Sequence, residues 1–172
     1  MGSKLYVLFL MVVTLTLSSY SISYGNDSTP DSVIKKYYQA DLEGARLSAE
    51  GYKTIKPLIA WEHEPGWDLV FITKNAKISK VEQLRKDETY ATVIYDVIGI
   101  LNGDDLLEIE FTQVVTFILI KTNAQWKIKQ PVIFPHVSPL ALSKHIEKVL
   151  KDNQNKQRET KLRALMKRLP EL

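Results

Sequence analysis

The sequence predicts a single α+β domain in which N-terminal helices pack in the concave face of a curved antiparallel sheet, followed by a C-terminal helix and a basic tail. Three observations predict it. Apolar residues recur every three or four positions from Ile34 to Ala49, the period of a half-buried helix. From Glu88 to Lys121 two long runs rich in β-branched and aromatic residues alternate instead with period two. Short turns join these runs, and a parallel pair would need a crossover of about a dozen residues, so neighbouring strands are antiparallel.

The chain opens on Lys4, an apolar or near-apolar run from Leu5 to Leu17, and small residues through Gly25. That order marks a secretory signal. Thirteen residues rising about 1.5 Å each cannot span a hydrocarbon core of about 30 Å, so the segment reads as a signal cleaved after Gly25 and not as a membrane anchor. The expected destination is the periplasm or the medium. Of the 172 residues, 26–150 then form one domain and 151–172 a tail. The absence of cysteine means that packing alone holds the fold, and it excludes thiolate nucleophiles and cysteine zinc sites. Of the net charge of +3, Lys4 supplies +1 and residues 151–172 supply +4, which leaves −2 on the body. A body of that sign in an exported chain disfavours nucleic acid as a partner.

Thr29-Pro30-Asp31 is a helix start, with an N-cap, a proline at the first helical position and an acid in the first turn. The helix is expected to bury Ile34, Tyr37, Tyr38, Leu42, Ala45 and Ala49 and to stop at Gly51. A second short helix over 52–61 is weakened by Pro57. Strands are expected over 68–73, 76–84, 88–101, 106–121 and 126–130, with a hairpin turn at Asn102-Gly103-Asp104-Asp105. Ser138-Pro139 starts a last helix with Leu140, Leu142, Ile146, Val149 and Leu150 as its apolar positions. In the tail, Leu162, Leu165, Met166 and Leu169 keep helical spacing among basic residues; a solvated or partly disordered helix is expected there, not a membrane contact.

Alternation assigns the sheet's faces. Ala91, Val93, Tyr95, Val97, Gly99 and Leu101 form one core face; Leu107, Ile109, Phe111, Val115, Phe117 and Leu119 continue it, interrupted by Gln113. The opposite face is mixed, with Thr92, Ile94, Asp96 and Ile98 on one strand and Thr112, Val114, Thr116 and Ile118 on the next, and too apolar to be ideal in water, which predicts cover by the last helix or a homodimer contact through the sheet.

This order of helices and then a long apolar meander, over residues 30–137, resembles the nuclear-transport-factor-2-like superfamily, a cone-shaped α+β fold without a diagnostic motif. The short second helix and the basic tail depart from its pattern. The resemblance implies a cavity at the wide end of the cone, which Tyr38, Asp41, Trp61, Trp67, Tyr95, Phe111 and Gln113 would line. It also spans binding modules, dimerisation modules, isomerases and dehydratases, so fold does not settle function.

Asp41 lies inside an apolar stripe, where an unpaired carboxylate is costly; it is expected either to pair with Arg46 or a Tyr hydroxyl, or to act as a base or ligand anchor with Tyr37 or Tyr38. Gln113 either satisfies a buried group or meets a ligand. In the stretch from Trp61 to Trp67, His63 lies between Glu62 and Glu64, but consecutive residues cannot all face one ion and no second His has ligand spacing, so neither a metal nor another cofactor is expected. The two indoles are expected to plug the cone's end, with the charged side chains in solvent. His136 and His145 read as structural, and no phosphate loop or nucleophile elbow appears. The expectation is an exported non-catalytic binding module for a small apolar or amphipathic molecule or a protein partner. The alternatives are an isomerase, dehydratase or hydrolase with Asp41 as base, assisted by Tyr38 or His63, and a structural assembly subunit.

Overall fold

The computed structural model describes residues 28–172, so the signal expected over residues 1–25 lies outside the described residues. Helix α1 (Pro30–Leu42) starts as its sequence dictates: the Thr29 hydroxyl accepts from the Ser32 amide, and the Ser32 hydroxyl accepts from the Thr29 amide. It ends earlier than its apolar period suggests. Gly44 adopts a left-handed φ of +83°, a 3-10 turn spans Ala45–Leu47, and Ser48 starts α2 (Ala49–Ile55) by accepting from the Gly51 amide.

Gly51 is therefore inside the second helix and not a stop signal. A Cβ at this position would lie 2.4 Å from the Ala45 carbonyl oxygen. Because backbone must yield, Gly51→Ala is expected to cost about 1–3 kcal/mol, and an unchanged urea-unfolding midpoint would show that the turn relaxes freely.

The sheet comprises β1 (Leu69–Arg85), β2 (Glu88–Asn102), β3 (Asp105–Thr122), β4 (Gln125–Gln130) and β5 (His136–Val137), in the order β4-β3-β2-β1-β5. The first four form the expected antiparallel meander, whereas β5 runs parallel to β1 at Phe71 and Ile72. The two strands expected over 68–73 and 76–84 are one strand, because irregularities between Ile72 and Asn75 bend it without ending its pairing.

The sheet curls into a half-barrel, and α1 fills its concave face, packing Val33, Ile34 and Tyr37 with Val93, Tyr95 and Phe117. A second core lies on the other face, where α3 (Pro139–Asp152) and α4 (Lys156–Arg168) cover Ile72, Ile98 and Leu101. A register shift between Val97 and Gly99 divides the two: beyond it Leu101 leaves the face that strict alternation assigns and joins Ile98. Leu107 and Ile109, expected in the core, are 57% and 43% exposed, since α1 covers the other end of β3 around Phe117. Of the opposite face, Ile98 is covered while Val114 stays exposed.

The tail docks through buried Leu162 and Leu165 of α4 and Leu169 of the 3-10 turn that follows it. Ion pairs of Arg158 with Asp104, Lys161 with Asp105 and Arg168 with Glu108 tie it to the β2–β3 hairpin. Each such exposed pair contributes about 0–1 kcal/mol, so the leucines do most of the holding. No helix among the described residues is long and apolar enough to cross a membrane.

Candidate functional site

From α1, Tyr37, Tyr38 and Asp41 point inward at helical spacing and are buried. Asp41 is 0% exposed; its Oδ2 accepts the His136 amide at 3.1 Å and lies 3.5 Å from Arg46 Nη1. Arg46, delivered by the 3-10 turn, commits all three guanidinium nitrogens. Nε donates to Glu64 Oε1 (2.6 Å), Nη1 to Tyr37 Oη (3.1 Å) and Nη2 to the Ile133 carbonyl (2.7 Å), and the group stacks 4.9 Å from the Trp67 ring. Trp67 Nε1 donates to the same Glu64 oxygen. Two carboxylates thus flank one cation. Burial outweighs the Arg46 charge and the His136 amide and raises the Asp41 carboxyl to about 7. Burial and the Asp41 charge together push the Tyr37 and Tyr95 phenols up.

His136 stacks on Tyr95 with ring centroids 4.1 Å apart. Burial holds its imidazole down at about 4, so the ring is neutral at neutral pH. Its Nδ1–H donates to the Phe134 carbonyl at 2.9 Å, which makes Nε2 of the neutral ring an acceptor; the Gln113 atom 2.7 Å from it is Oε1. The neutral pair is complete when the amide presents its NH2 end to Nε2. Gln113 therefore meets a buried side chain, and Asp41 is ion-paired through Oδ2, while its Oδ1 is buried without a hydrogen-bond partner.

The structure brings Asp41, Tyr95 and Gln113 together around His136, to which sequence reasoning gave no site role. Only the uncharged run Phe134-Pro135-His136-Val137 hinted at its burial. Tyr38 packs in the same core, Phe111 stands edge-on to Phe71 (6.0 Å), and Trp61 edge-on to Tyr37 (6.3 Å). His63 does not join them: its side chain is 92% exposed, 3.9 Å from Glu62. Glu64, expected in solvent, instead turns inward to Arg46.

A cleft of about 970 Å³ opens outside the half-barrel, between the start of α2, the stretch leading into β1, the β2–β3 turn and the two C-terminal helices. Leu47, Trp67, Leu142, Ile146, Val149 and Leu162 give it apolar walls. Tyr52, Glu64 and Arg46 give it a polar end, where Tyr52 Oη and Glu64 Oε2 are buried without hydrogen-bond partners. Partial burial and the Glu64 charge push the Tyr52 phenol up, in keeping with their closeness. Arg46 links this wall to the interior, because one guanidinium reaches both Glu64 and Asp41. Among the described residues no group of three or more His, Asp or Glu is placed to hold a metal ion.

Fold and site together define an α+β protein whose curled sheet seals a charged cluster on one face and builds an open cleft with C-terminal helices on the other. Comparison of the chain with known protein families, curated proteins and solved structures finds no match.

Proposed function

We propose that the protein is an exported, non-catalytic binding module, akin to the nuclear-transport-factor-2-like cone, that holds a small amphipathic molecule in the cleft between its sheet and its C-terminal helices. The cleft itself carries the reading. At about 970 Å³, with apolar walls and a few convergent polar groups, it has the size and lining of small-molecule sites, which run to about 1,000 Å³. Asp41 serves as the foundation beneath this cleft, since a carboxyl with no exposed surface and a guanidinium clamped on it is poorly placed to meet a substrate.

Val149 is half-buried on α3 and lines the cleft, so Val149→Trp fills the space while sparing the fully buried core. Native mass spectrometry of the mature protein is expected to find a co-purifying small molecule, or thermal scans to find stabilisation by an amphipathic compound; saturation at 100 times Kd adds about 2.7 kcal/mol. Val149→Trp is expected to abolish either signal. A wild type that carries nothing and responds to no amphiphile would end this reading.

A further inference from the structure

We infer that the cleft selects an organic cation, with an amine head set against Glu64 and Tyr52 and an apolar body lying along α3 and α4. This rests on the cleft reading above and adds the ligand's charge and polarity. The cations on the cleft wall are already spent. Arg46 uses Nε, Nη1 and Nη2 on Glu64, Tyr37 and Ile133, and Arg158 grips Asp104 with Nε at 2.9 Å and Nη2 at 3.1 Å. His145, also on the wall, is half-buried; burial and the Lys148 charge hold it below its ordinary value, so it is uncharged at neutral pH. A carboxylate or phosphate head would find no free cation here.

Acceptors are in surplus. Glu64 Oε1 takes both Arg46 and Trp67, which leaves Oε2 unanswered, and Tyr52 Oη is unanswered beside it. Buried acceptors left unpaired are costly, and an ammonium brings three donors to them. The charge count has the same sign: Glu64, Asp68 and Asp104 line the cleft against Arg46 and Arg158, and Arg46 is shared with Asp41 beneath. On the cleft wall alone, three carboxylates against two guanidiniums leave one positive charge missing when these groups are ionised. The body of such a ligand would bury its apolar surface on Leu142, Ile146 and Leu162.

The test is calorimetric titration of the mature protein at neutral pH and low salt with n-octylamine, n-octanol and octanoate, which share one tail. Octylamine is expected to bind at least about tenfold tighter than the other two, the difference a charge-assisted hydrogen bond makes. Glu64→Gln is expected to remove that advantage and Tyr52→Phe to weaken the amine about fivefold. Because Glu64 also anchors Arg46, circular dichroism checks the fold of Glu64→Gln, and Tyr52→Phe, which breaks no hydrogen bond, carries the test if that variant unfolds. Octanol or octanoate binding as tightly as the amine overturns the inference while leaving the cleft as a binding site. An amine affinity indifferent to Tyr52→Phe overturns it as well. If none of the three binds, the cleft reading falls with it.

Discussion

Arg46→Leu is expected to remove about 3–5 kcal/mol of folding stability at neutral pH, the loss characteristic of stripping one partner from a buried charge pair. The reason is the number of groups it would orphan. Asp41 has no exposure, Tyr37 Oη and the Ile133 carbonyl lose their donor, and Glu64 keeps only Trp67. Leucine fills part of the volume but answers none of these. The loss is expected to shrink in acid, because Asp41 with its carboxyl at about 7 takes up a proton and no longer needs the cation. Adding Asp41→Asn should recover part of the loss, and a double-mutant cycle is expected to show coupling of about 1–3 kcal/mol. Urea unfolding at pH 7.5 and pH 5 measures all of this. A loss below about 1 kcal/mol at pH 7.5 would place Arg46 among ordinary surface pairs.

What the sequence makes legible follows a physical division. Signals completed within a few residues read correctly, such as the Thr29-Pro30 and Ser138-Pro139 helix starts and the alternation that buries Val93, Tyr95 and Phe117. Requirements set by distant backbone did not. Gly44 and Gly51 look alike in sequence, yet one is needed for a left-handed φ and the other because the Ala45 carbonyl lies where a side chain would go. Alternation gives the side toward which Leu107 and Ile109 face, but not how far the covering helix extends. The sparse stripe of α4 reads as solvated in isolation. Leu162 and Leu165, with Leu169 just beyond the helix, dock because the sheet's outer face offers them Ile98 and Leu101.

The site divides in the same way. Asp41 was legible as a carboxyl inside an apolar stripe, and Arg46 as its neighbour in sequence. The role of His136 depends on contacts 95 residues away, from its amide to Asp41, and on the Gln113 side chain across the sheet. The cleft was not legible at all, because its walls come from separate helices, a loop and a turn that only the folded chain assembles.

That same cluster predicts a pH behaviour in which two buried groups oppose each other. Asp41 has an ordinary value of 3.8 unfolded and about 7 folded, so the stability it contributes is full below about 3.8 and is lost as pH rises through about 7. His136 runs the other way, from 6.5 unfolded to about 4 folded: its contribution is full above 6.5 and is lost as pH falls through about 4. Between about 4 and 6.5 each unbalanced proton changes stability by about 1.4 kcal/mol per pH unit, with opposite sign for the two groups. These two contributions therefore nearly cancel in the wild type across that window. Asp41→Asn leaves His136 alone, so stability is expected to rise with pH across it, by on the order of 3 kcal/mol in total. His136→Gln leaves Asp41 alone, and stability is expected to fall with pH instead. Chemical unfolding at half-unit pH steps separates the cases, and parallel profiles for the two variants would show that the buried pair does not titrate in opposition.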